Sequence, residues 1–146
     1  MKKVNINLRW TILTATILLS ASFSELKYSF GQENETAQNE DDSKRFVDYL
    51  QNVRNLLNQT SVEYKNSNFT GAEVLANTAY LDNFEHVEDE LEEKGSHSFM
   101  EDLEHMMREE LRGLIQDKVD QTELDMHINA TDAKLVEAID LLKGPE

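Results

Sequence analysis

Cysteine is absent from the 146-residue chain, which removes disulfide frameworks, thiol nucleophiles, cysteine-ligated zinc and a lipid-modified N-terminal cysteine together. Proline occurs once and glycine five times, so little interrupts the backbone and long helices are the natural expectation. Basic residues are scarce: 14 Lys and Arg stand against 29 Asp and Glu, leaving a formal charge of -15. Nucleic acids and anionic membranes are bound through clusters of Lys and Arg, so neither is expected as a partner of the folded part. Catalytic signatures are missing as well. There is no His-Glu-x-x-His, no Gly-x-Ser-x-Gly, no phosphate-cradling Gly-x-x-x-x-Gly-Lys and no dinucleotide fingerprint. The expectation is a protein that is not an enzyme.

What is present begins with a leader. Lys2, Lys3 and Arg9 precede an apolar run from Trp10 to Leu19 that extends weakly through Ala21 and Phe23. A charged stretch followed by a short apolar one is the pattern of a signal peptide, and the run falls short of the roughly 20 apolar residues that a spanning helix needs. Ser29 and Gly31 suit a peptidase cutting before Gln32, with Ser20 and Ser22, or Ser22 and Ser24, as earlier alternatives. An uncleaved N-terminal anchor is the other reading of residues 1–31. This segment carries four bases and one acid, a charge of +3, which leaves -18 for the remainder. Residues 32–43 contain one alanine and no larger apolar side chain, the composition of a disordered acidic linker. A secreted, cell-surface or periplasm-like location follows, tethered if the leader stays on. Four Asn-x-Thr triplets, at Asn34, Asn58, Asn68 and Asn129, are chemically glycosylation acceptors.

Residues 44–146 read as an all-α domain, a small antiparallel bundle of three to four helices. Helix one starts after Ser43 with Phe46, Tyr49, Leu50, Val53, Leu56, Leu57 and Tyr64 on one stripe. Helix two starts from a capping box at Thr70 and Glu73, carries Tyr80, Phe84, Val87 and Leu91, and ends in a left-handed cap at Gly95. Helix three starts from a second capping box at Ser98 and Glu101 and folds back on helix two, with Met100, Leu103, Met107, Leu111 and Leu114 facing inward. The last helix runs from a fresh cap at Thr131 to Lys143; one continuous helix through Leu124 and Ile128 is the alternative.

Candidate site residues fall in two groups. His86 has Asp82, Asp89 and Glu90 at helical spacing, and His105 has Glu101 and Glu109; imidazole and carboxylate on one helix face can hold a borderline divalent metal. Methionine and histidine also fall together in His97-Ser98-Phe99-Met100, His105-Met106-Met107 and Met126-His127, a Met/His spacing that resembles exported copper- and silver-binding proteins and so implies copper, with His97, Met100, Met126 and His127 as the residues able to share it. Against both stands the ordinary use of such residues, acids on a solvated face and methionines filling a core. The leading expectation is therefore an exported, acidic protein-interaction or surface component without a cofactor, whose partner is an unnamed protein. Tyr49, Tyr64 and Phe69 are the first residues to consider for contact with it. The alternative is an extracytoplasmic protein that binds copper or another divalent metal.

Overall fold

The computed structural model describes residues 42–144. The expected leader, most of the expected linker and Asn34 lie outside the described residues. Every regular element among the described residues is helical. The first, α1, spans 42–65, so helix is already present at Asp42 and Ser43. It is followed by α2 (Phe69–Leu81), a short 3-10 turn (Phe84–His86), α3 (Glu88–Lys94), α4 (His97–His105), a π turn (Met106–Glu110), α5 (Leu111–Asp117) and α6 (Gln121–Lys143). No described helix is long and apolar enough to cross a membrane.

In α1, Leu50, Val53, Leu57 and Tyr64 are buried, while Phe46, Tyr49 and Leu56 flank them. Thr60 completes the stripe, because its hydroxyl donates to the Leu56 carbonyl and leaves no polar group unpaired in the core. The chain turns through Ser67 in the left-handed region. Asn68, two residues before the expected Thr70, caps α2 by accepting the Gly71 amide.

The expected second helix is broken. Tyr80, Phe84, Val87 and Leu91 are all buried, but α2, the 3-10 turn and α3 carry them separately. The break is at Asn83, whose side chain donates to the Thr78 carbonyl, offering the backbone an alternative to helix. Gly95 is not left-handed, with φ −101 and ψ −99. Its value is closeness: a Cβ there would meet the Leu91 carbonyl oxygen at 2.9 Å and Leu141 Cδ1 at 3.3 Å. Ser96, and not Ser98, caps α4 by accepting the Phe99 amide.

From α4 to α5 the helical path is continuous, but the π turn inserts one extra residue, with the Leu111 amide bonded to the Met106 carbonyl five residues back. The insertion moves the register. Met100, Leu103, Met107, Leu111 and Ile115 are buried, and Leu114, expected inside, is only flanking. The last helix is single and spans 23 residues, which overturns the expected start at Thr131. Thr131 is buried within it and its hydroxyl donates to the His127 carbonyl. Arg54 meets Asp132 through two bonds, of 2.6 and 3.0 Å, and Ser61 donates to Asp125. These partners fall as the α1 numbers rise, so α1 and α6 run antiparallel.

Two glycines separate close approach from open space. Gly95→Ala is expected to destabilise the domain by about 1–3 kcal/mol, because the contacted atom is backbone. Gly113→Ala, inside α5 with no atom within 4 Å of the added Cβ, is expected to stabilise it by about 0.5–1 kcal/mol. Urea unfolding of both variants measures the opposite signs.

Candidate functional site

The π turn has a local consequence that no regular helix would give. Residues five apart on an α-helix are separated by about 140° around the axis, which would place His105 and Glu110 on different faces. Across the wider turn His105 Nε2 comes to 3.3 Å from Glu110 Oε1, and His105 Nδ1 lies 3.1 Å from Glu109 Oε2. A third group arrives from α6. His127 Nε2 is 2.8 Å from the Met106 carbonyl, the same carbonyl that the Leu111 amide uses. His127 Nδ1 lies 3.5 Å from Glu110 Oε2. One carboxylate thus stands between two imidazoles on different elements, and the His127 side chain is only 12% exposed.

The metal candidates are dispersed otherwise. His86 sits in the 3-10 turn, its ring 5.0 Å from that of Tyr49, so the helical spacing that grouped it with Asp82, Asp89 and Glu90 does not operate. Asp82 ends α2, and Glu90 is paired with Lys94 at 3.0 Å. Glu101 is drawn to His97, which lies 3.2 Å from both Glu101 and Glu92. Met100 is buried and Met126 is 69% exposed, so the two thioethers face different surroundings. Among the described residues, no group of three or more His, Asp or Glu side chains is placed to hold a metal ion.

The aromatic candidates are occupied internally. Tyr64 donates its hydroxyl to the Val119 carbonyl and packs edge-on against Phe69. The Lys118 ammonium covers the Phe69 ring at 4.9 Å. Of the Asn-x-Thr sites, Asn58, Asn68 and Asn129 are all exposed; the Asn58 amide donates to the Arg54 carbonyl, and the Asn68 side chain bonds Glu63 and caps α2.

Two features were not legible in the residue pattern. The first is an open cleft of about 620 Å³ beside α6, lined by the apolar Ala133, Val136 and Leu141 and by the charged Lys94, Glu137 and Asp140. Its α6 residues recur at spacings of three and four on the side of the helix away from the core stripe. The second is a junction of acids around Tyr80, whose hydroxyl donates to Glu104 Oε1 at 3.3 Å. One proton serves one carboxylate, and Glu88 Oε1 is left buried without a donor. Burial pushes the Glu88 carboxyl above its usual range; the nearby Tyr80 hydroxyl opposes this, and the charges of Glu104, Glu85 and Asp89 add to it. Burial also pushes the Tyr80 phenol upward, keeping it protonated.

No family model, no curated protein and no solved structure matches the chain.

The raised Glu88 carboxyl sets a pH dependence. A group whose folded value is raised binds its proton more tightly in the fold, so its contribution is present below the ordinary carboxylate range and lost as pH rises through the folded value. Glu88→Gln is therefore expected to be more stable than the native chain at about pH 7, by about 1 kcal/mol given its partial exposure. The difference should close below about pH 4. Urea midpoints at both pH values read it, and an unchanged midpoint at the higher pH contradicts it.

Proposed function

We propose that the chain is an exported, acidic, non-enzymatic protein whose helices form an antiparallel bundle and which binds a protein partner along the outer side of α6. The observation that carries this reading is the cleft. A helix normally has one apolar stripe, facing the core, and α6 has Leu124, Ile128, Leu135, Ala138, Ile139 and Leu142 there. Outside that stripe it also presents Ala133 and Val136, the latter 39% exposed, with the half-buried Leu141 further along the helix. An open surface depression that combines apolar and charged side chains can take an extended partner element laid along it. The stretch from Ala133 to Gly144 is about 16 Å long at 1.5 Å per residue, the reach of about three turns of a partner helix.

The leader motivates the location. Its basic start and short apolar run support export, and the acidic remainder suits a solvated surface outside the cytoplasm. In this reading the aromatic residues Tyr49, Tyr64 and Phe69 hold the domain together, and contact passes to α6.

A photo-crosslinking residue at Val136, introduced in the native host, is expected to capture one defined protein. The same residue at the exposed Val74 on α2 should not. Equal capture at both positions, or none at Val136 alongside a reaction catalysed by the purified chain, ends the proposal. Sequencing the N-terminus of the exported product is expected to begin at Gln32; a product that still starts at Met1 establishes the tethered form instead.

A further inference from the structure

We infer that Asn68, at the turn between α1 and α2, is the residue of the folded domain that accepts an N-linked oligosaccharide, with Thr70 supplying the hydroxyl that a transferase recognises. The inference rests on the export reading, because transfer from lipid-linked donors takes place on exported chains. The number of triplets is the first observation. Chance pairing of 12 asparagines with 9 threonines in 146 residues would give about one Asn-x-Thr. Four are present.

The fold separates the three triplets that lie in the described residues. Asn58, Asn68 and Asn129 are all exposed, so the acceptor amides do not distinguish them. The threonines do. Thr60 is fully buried in α1 and its hydroxyl donates to the Leu56 carbonyl, while Thr131 is 1% exposed in α6 and donates to the His127 carbonyl. Both triplets also lie inside helices, where backbone groups are paired and the chain cannot bend into an enzyme without unwinding. Thr70 is exposed, and its hydroxyl makes no side-chain hydrogen bond among the described residues. It stands in the first turn of α2, where backbone amides have no helical partner. Lys65, Asn66, Ser67 and Asn68 are exposed in succession, and Ser67 turns the chain with φ of 62°. The Asn68 triplet therefore begins at a surface tip, the kind of place that modifying enzymes reach.

The two jobs of the Asn68 side chain survive the transfer. Oδ1 accepts the Gly71 amide as the cap of α2, and Nδ2 donates to Glu63. Nδ2 carries two protons, of which the reaction replaces one. A bond forms between Nδ2 and the anomeric carbon of an oligosaccharide carried on a polyprenyl diphosphate. The bond from that carbon to the diphosphate oxygen breaks, the lipid diphosphate leaves with the electron pair, and the displaced proton passes to a base of the transferase. The product keeps Oδ1 for the cap and one N–H for Glu63. Gly71 leaves the approach clear, since a Cβ there would collide with Nδ2.

The test offers the purified, folded full chain carrying Asn34→Gln to an oligosaccharyltransferase and its polyprenyl diphosphate oligosaccharide, and maps the products by mass spectrometry of proteolytic peptides. The expected result is one oligosaccharide per chain, on Asn68. Thr70→Ala, which keeps the Asn68 cap, should lower transfer at least about tenfold, and Thr70→Ser should retain it. Synthetic peptides spanning each of the three triplets should all accept, which assigns the choice to the fold. Absence of transfer to Asn68, equal transfer to Asn58 or Asn129 on the folded chain, or transfer indifferent to Thr70→Ala would overturn the inference. In the native host, an exported product that starts at Gln32 with a bare Asn68 overturns it too and leaves export standing. A chain retained inside the cell overturns the export reading instead, and the purified reaction still decides for or against Asn68.

Discussion

The rest of the domain depends on the uninterrupted burial of one side of α6. Leu124, Ile128, Thr131, Leu135, Ala138, Ile139 and Leu142 form a single buried face on that helix. Against α6 lie α3, α4, the π turn and α5. Thr131 is the weak point of that face, and it is tolerated because its hydroxyl is satisfied by the His127 carbonyl within the helix. Magnitudes show which forces dominate. A fully buried Leu or Ile contributes about 1.5–3 kcal/mol, whereas a partly exposed ion pair such as Arg54–Asp132 is worth about 1 kcal/mol or less. The apolar face drives the packing of α6. The paired hydrogen bonds from Arg54 to Asp132, with those from Ser61 to Asp125 and from Gln121 to Ser61, fix how α1 is aligned along it.

The division between what sequence reveals and what it hides follows from the same forces. All-helical structure was legible because proline and glycine are rare and apolar residues recur at helical spacing. The residues that would be buried were also largely legible, since Tyr80, Phe84, Val87 and Leu91 are core residues whichever element carries them. Continuity was not. Asn83 diverts the backbone with one side-chain bond to Thr78, a local competition that hydrophobic periodicity does not register. Conversely, Asn129-Ala130-Thr131 has the composition of a break and yet lies inside a helix, because the stripe on either side outweighs a weak local preference.

The π turn had a signal that could have been used. Leu103, Met107, Leu111 and Ile115 are spaced by four three times in succession, and on an ideal helix that drifts by about 120°. An inserted residue removes the drift, so Ile115 reaches the core and Leu114 does not. The meeting of His105, Glu110 and His127 had no comparable signal. It depends on this inserted residue together with the docking of a helix that begins sixteen residues after His105, and only the folded chain combines the two.

The acidic surface and the two features of α6 bear on one another in a limited way. His127 and Val136 are nine residues apart, about 14 Å along one helix. Coupling between two sites requires an element with two arrangements that each ligand favours differently. Between these positions α6 is anchored by Thr131 and Leu135, both almost completely buried, and its side bond from Asp132 to Arg54 holds the register. A helix seated in this way has one arrangement available short of unfolding. Its two faces therefore act independently: a charge placed at His127 alters the cleft only through the screened field between them, which at physiological salt decays over about 8 Å.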